Sequence, residues 1–125
     1  MDADTVRGLL QQHFDYARSD PDKGHAMYHD DAVLEFPQSG ERFDGVENFR
    51  EWRSNYPEDT RFEFREIRGE GDSWVAELTV SYGGGPKSFG VSILELRDDK
   101  IARESIYVTE PWDPPEWRAR WRAAP

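Results

Sequence analysis

One acidic side chain interrupts an apolar alternation near the C-terminal end of the chain. Ala102, Ile106 and Val108 share one face of a segment with alternating pattern, and Glu104 breaks that face. A carboxylate among apolar neighbours loses hydration, which favours its protonated form and suits it to proton exchange near neutral pH. Turned to solvent, or paired with Arg53 or Arg103, the same residue would have no such role. Arg53 offers the forked donors of a guanidinium. It can orient Glu104, hold a substrate carboxylate or enolate, or simply sit solvated on a helix. Tyr16, Tyr28, Trp52 and Tyr56 each join an apolar ring to one polar tip, so they can line a ligand site or pack in a core. Trp74, Phe89 and Ile106 read as core or wall.

Other patterns carry less chemistry. His25 and His29 stand four apart, a ligand spacing on one helix face, and Asp30 and Asp31 follow. No third ligand is fixed by spacing, so solvated polar residues are the simpler reading, and neither a metal nor a cofactor is expected. His13 borders an apolar stripe and reads as a histidine whose hydrogen bonds are satisfied. Gly83-Gly84-Gly85-Pro86 lacks the following helix and Lys-Ser/Thr of a phosphate loop, and reads as a hairpin connection. Asp98-Asp99-Lys100 is a second turn. The charges from Glu58 to Glu66 suit a solvated strand edge.

The elements that must position these residues follow from hydrophobic periodicity. Residues 4–18 read as an amphipathic helix carrying Val6, Leu9, Leu10, His13, Phe14 and Ala17, stopped by Ser19-Asp20-Pro21. A short second helix is expected over 22–29, a strand over 32–36, a turn at Phe43-Asp44-Gly45 and a third helix over 46–55. Beyond Pro57 the period changes to two, giving strands over 62–68, 74–82, 89–96 and 101–109. Asp113-Pro114-Pro115 opens a terminal helix with Trp117 and Trp121 one turn apart. The order α-α-β-α-β-β-β-β with a tail helix implies an α+β fold, its helices covering one face of a curved, largely antiparallel sheet. No linker or repeat divides residues 1–125, so one domain is expected.

Composition sets limits. The 125 residues carry 16 basic and 26 acidic side chains, a net charge of −10, which opposes nucleic-acid binding. Seventeen aromatic residues argue against disorder. No apolar run reaches the roughly 18 residues of a membrane span. The absence of cysteine excludes disulfides and thiol catalysis. Together with a start, Met1-Asp2-Ala3-Asp4, that lacks signal-peptide character, it fits a cytoplasmic protein.

Three segments carry a family resemblance: residues 27–37 (Met27 to Pro37), residues 43–49 (Phe43 to Phe49) and residues 100–108 (Lys100 to Val108). In this order the chain resembles the nuclear transport factor 2-like fold, and within it the SnoaL-like polyketide cyclases and ketosteroid isomerases. The resemblance implies a cone, a bent sheet wrapped around a cavity for a small apolar or aromatic molecule, with the first helix closing one side. It also implies that positions 104, 106 and 108 face inward. The isomerase chemistry itself is not expected. Its carboxylate base falls on Phe36, its oxyanion tyrosine on Gln12 and its partner aspartate near Ser92; only the supporting tyrosine matches, at Tyr28. Arg53 falls where isomerase relatives carry a pocket tyrosine.

Two readings follow. The first is a cofactor-free acid–base enzyme of cyclase, isomerase or hydratase type. Glu104 would be its acid/base, Arg53 and Tyr28 would position substrate, and Tyr16, Phe36, Trp52, Tyr56, Ile106 and Val108 would form the wall. The second is a non-catalytic ligand-binding or scaffold protein with the same cavity, and a surface-acting adaptor is a further alternative. A homodimer through the outer sheet face, where Thr79, Ile101 and Tyr107 are expected to point, is implied by the resemblance. The three tail tryptophans should close the cone's mouth or bury against a second subunit.

Overall fold

The computed structural model describes residues 2–124. Helix α1 (Ala3–Ser19) starts where the Asp2 carboxylate accepts the Thr5 amide, which satisfies one of the donors left open at a helix start. Its stripe of Val6, Leu10, His13 and Phe14 is buried, as the periodicity requires. Asp20 ends α1 and caps α2 (Pro21–His25). This helix is shorter than its expected extent to residue 29. The backbone of Tyr28 instead pairs with Ile101, so Tyr28 and His29 enter strand β1 (Tyr28–Phe36). His25 and His29 therefore do not share a helix face. Among the described residues no group of three His, Asp or Glu side chains gathers to hold a metal ion.

Strand β2 (Glu41–Asp44) occupies the segment expected as a turn. It pairs antiparallel with Val33–Phe36, and four residues with one inward aromatic, Phe43, were too short to show alternation. Gly45, at φ 89°, lets the chain leave β2 and enter α3 (Val46–Ser54) at once. Strands β3 (Thr60–Glu70), β4 (Ser73–Tyr82), β5 (Ser88–Arg97) and β6 (Lys100–Thr109) follow, and a 3-10 helix spans Glu116–Trp121.

The six strands form one curved mixed sheet in the order β2-β1-β6-β5-β4-β3, parallel only between β1 and β6. Helix α1 packs on β3, and α3 packs on β1 and β2. The inner face carries Ala32, Leu34, Trp74, Ala76, Leu78, Val80, Leu94, Leu96 and Ile101, all buried. Each large apolar side chain buried there contributes about 1.5–3 kcal/mol. Gly69 allows the close approach of β4, because a Cβ at 69 would stand 2.8 Å from the Trp74 ring and closer still to the Ser73 carbonyl oxygen.

Two expectations for the outer face change. Ile101 is fully buried, not outward. The reason is a bulge: Leu96 pairs with Ile101 and Glu95 with Arg103, which leaves Ala102 unpaired and resets the pleat within β6. Phe89, expected in the core, is 41% exposed on the outer face, in register with Thr79 and Thr109. Among the described residues no helix is long and apolar enough to cross a membrane.

Candidate functional site

Glu104 is 2% exposed on the inner face of β6. The bulge at Ala102 places it opposite Leu94 and diagonal to Ser92. Ser92 Oγ donates to Glu104 Oε2 at 2.5 Å, and the Tyr28 hydroxyl donates to Oε1. Arg53 Nη2 stands 3.8 Å from the same Oε1, and Arg53 Nη1 donates to the Tyr28 oxygen at 3.3 Å. The carboxylate thus has two hydroxyl donors and one cation, the partners a buried charge requires.

Arg53 reaches this point from α3 one turn beyond the buried Phe49. Its guanidinium lies 5.2 Å from the Phe49 ring centre, 5.8 Å from Trp52 and 5.9 Å from Tyr28, so aromatic faces hold the cation in place. Its side chain remains 27% exposed and links the buried carboxylate to the surface. His25 adds a further contact. Its Nδ1 donates to the Pro21 carbonyl at 2.7 Å, which leaves Nε2 to accept from Arg53 Nη1 at 3.3 Å. Burial first, and Arg53 second, hold the His25 imidazole below its usual value.

Tyr28 is wedged between aromatic neighbours, with Phe49 at 5.0 Å and His13 at 5.1 Å, both edge-on. Burial and the Glu104 charge push its phenol well above the usual range, so it is a neutral donor across the physiological range. His13 is 3% exposed, and its Nδ1 hydrogen-bonds the Gly24 carbonyl at 3.1 Å. Burial pushes it down to about 4, with Arg53 adding to the shift and Glu104 opposing it, so it is neutral at pH 7.

Phe36, Phe43 and Trp52 form an adjoining aromatic group, with Trp52 at 5.2 Å from Phe43 and 5.9 Å from Phe36. Trp52 Nε1 is buried and has no hydrogen-bond partner among the described residues. An unpaired buried donor costs about 1–3 kcal/mol, so this atom is a candidate contact for a ligand oxygen.

The structure therefore gathers Glu104, Arg53 and Tyr28 into one hydrogen-bonded cluster, with Phe36 and Trp52 beside it. Ile106 and Val108 continue the Glu104 face toward the end of β6 and are half-buried. Tyr16 and Tyr56 stand apart. Tyr16 lies beneath Lys23, and Tyr56, 43% exposed, packs on Tyr82. Two clefts, of about 260 and 360 Å³, lie at Phe14, Arg18 and Phe62 and at Arg61, Val80 and Lys87, and neither takes in Glu104. From sequence, Ser92 stood only at the counterpart of an isomerase aspartate and His25 only in a metal-ligand spacing; neither was read as a partner of Glu104 or Arg53. Ser92 had a signal, since it alternates inward with Leu94 and Leu96, but its meaning depended on the β5–β6 register.

Comparisons with known proteins agree with this architecture. Residues 7–104 match the family model described as the SnoaL-like domain. An NTF2-like protein of unknown function from Burkholderia xenovorans is 37% identical, with a TM-score of 0.91, over 99% of this chain and 98% of that one. A proposed ketosteroid isomerase from Kribbella flavida is 23% identical, with a TM-score of 0.86, over 97% and 90%. TerC, co-crystallised with polyporic acid, is 19% identical, with a TM-score of 0.74, over 82% and 89%. No curated protein matches the sequence.

Proposed function

The chain belongs to the SnoaL-like domain family, and on that premise we propose that it binds a small apolar or aromatic molecule bearing an oxygen acceptor, beside Arg53 and Trp52. Glu104 is the group assigned to acid–base chemistry of cyclase, isomerase or hydratase type, without a cofactor. The observation that carries this reading is the Glu104–Tyr28–Arg53 cluster, a buried carboxylate aligned from two elements and joined to a partly exposed guanidinium. In the simplest step, the carboxylate takes a proton from the carbon next to a carbonyl. The enolate oxygen is held by Arg53 N–H groups, and the proton then returns to the same or a neighbouring carbon. Phe36, Ile106 and Val108 supply apolar wall, whereas Tyr16 and Tyr56 stand apart and are assigned no contact with the ligand.

A second reading is favoured by one observation. Glu104 is already partnered: both its oxygens accept hydroxyl donors from its own chain and Arg53 stands 3.8 Å from one of them, the pairing that leaves it no acid–base role. In this reading Glu104 fixes Arg53 and Tyr28, and the protein binds its ligand without turning it over. In either reading the chain acts as a homodimer through the outer sheet face, where Tyr107 and Thr79 lie.

The test uses cyclic ketones and polyporic acid as probes. Calorimetry should give saturable binding that Arg53→Met weakens at least about tenfold, the loss of one charge-assisted hydrogen bond. NMR in D₂O should show exchange of the ketone α-proton that Glu104→Gln abolishes while binding persists. Binding without exchange supports the second reading. Absence of binding to every probe overturns both.

A further inference from the structure

The segment after β6 presents three tryptophans that its own chain leaves in solvent. Trp112, Trp117 and Trp121 are 75%, 74% and 66% exposed. Among the described residues no helix or strand packs substantially against the 3-10 helix that carries two of them. Arg118, Arg120 and Arg122 are interleaved with these rings, and the Arg120 guanidinium lies 4.1 Å from the Trp121 ring centre. Glu110, Asp113 and Glu116 precede them, so the basic, aromatic part of the arm is Trp117–Arg122, on a chain with 26 acidic and only 16 basic residues.

The path of the arm is stiff. Pro111, Pro114 and Pro115 precede the 3-10 helix, and Pro115 is extended at φ −66°, ψ 137°. Proline-rich segments of this kind act as semi-rigid spacers. Thr109 to Trp117 can span up to about 25 Å, enough to leave the body that bears it.

A matching surface lies on the outer face of β4, β5 and β6. Phe89, Ile93 and Tyr107 are 40–41% exposed there, and Val91, in register with Tyr107, lies between them. Glu77, which Arg68 already pairs at 2.6 Å, and Glu95, in register with Arg103, flank this patch on the same face; Glu95 makes no ion pair among the described residues.

We propose that the Trp117–Arg122 arm of one copy seats on the Phe89–Ile93–Tyr107 face of a second copy, reciprocally, with the arm's arginines over the acidic flank. Two-fold exchange satisfies both surfaces at once, because each copy supplies one arm and one face. Tryptophan and arginine are the residues that most often dominate such contacts. This inference rests on the homodimer reading above and adds the occupant of the face.

Sedimentation velocity over a dilution series tests it on the full chain. The unmodified protein should dimerise. Trp117→Ala with Trp121→Ala should weaken the dimer about a hundredfold, and Phe89→Glu should do the same, with the far-ultraviolet circular dichroism of both unchanged. Arg118→Glu with Arg120→Glu should weaken it too, and added salt should weaken the unmodified dimer. A chain that stays monomeric at all concentrations overturns the dimer reading and this inference together. A dimer untouched by the tryptophan pair leaves the dimer reading standing and overturns the arm. A dimer that needs the tryptophans but tolerates Phe89→Glu overturns the assigned face.

Discussion

Tyr28 and Glu104, 76 positions apart in sequence, meet through a buried hydrogen bond in which the phenol donates to the carboxylate. Tyr28 opens β1 and Glu104 lies on β6, adjacent parallel strands. Arg53 closes the arrangement from α3, so one residue from each of three elements defines the cluster. Removing any member leaves the others short of a partner, which makes each contribution measurable.

The first expected outcome concerns Glu104 itself. Glu104→Ala strands Arg53 without its counter-charge and two hydroxyls without an acceptor, and should destabilise by about 3 kcal/mol. Glu104→Gln keeps an acceptor oxygen and should cost distinctly less. Tyr28→Phe preserves the ring contacts with Phe49 and His13 and should cost about 1–2 kcal/mol. Urea denaturation followed by tryptophan fluorescence gives these values. Equal losses for Ala and Gln at 104 would show that the carboxylate charge, not the acceptor, matters.

Acid lability should trace to His13. Its folded-state value is held at about 4, against 6.5 in the unfolded chain, chiefly by burial. The unfolded state therefore takes up a proton that the folded state refuses. This contribution is fully present above about pH 6.5 and is lost as pH falls toward about 4, a change on the order of 3 kcal/mol. His25, lowered by burial and then Arg53, acts in the same direction. Urea midpoints between about pH 7 and pH 5 should fall, and His13→Gln should flatten the slope. Parallel slopes in the two proteins would assign the acid limb elsewhere.

Two tryptophans should answer differently to one substitution. Trp74 is 1% exposed, and its Nε1 donates to the Gly71 carbonyl at 2.8 Å. Trp74→Phe should cost about 2 kcal/mol, from lost area and an abandoned carbonyl. Trp52→Phe removes a buried donor that has no partner and should leave stability within about 1 kcal/mol. The same change should weaken any ligand whose oxygen the indole N–H contacts. A large stability loss from Trp52→Phe would mark the residue as packing alone.

The bulge gives the most structural of these outcomes. Deleting Ala102 removes the unpaired residue of β6 and joins Ile101 directly to Arg103. The β5–β6 pairs then stay as they are, Ile101 with Leu96, Arg103 with Glu95 and Glu104 with Leu94, in an unbroken ladder with Ile101 and Glu104 both inward. The variant should keep the cooperative urea transition of the parent. Loss of that transition would show that the extra residue itself, and not the pairing on either side of it, holds β6 in place.

The sequence by itself determined α1, α3 and the four strands β3 to β6, and the buried side of β4. Alternation in residues 74–82 and the stripe of α1 report local periodicity, and local geometry preserves it. Glu104 was legible for the same reason, as a charge on an apolar face, and Arg53 and Tyr28 as polar tips near it. Tertiary structure decided what periodicity cannot encode. Tyr28 became a strand residue because β6 offered its backbone a partner, and β2 formed because β1 had an open edge. Ile101 turned inward because one unpaired alanine reset the pleat, and that same reset set Ser92 against Glu104. Phe89 was placed outside because the register with β4 fixed its face. Each of these depends on which strand lies beside which, a long-range relation that pairing energy settles and that no single segment of sequence contains.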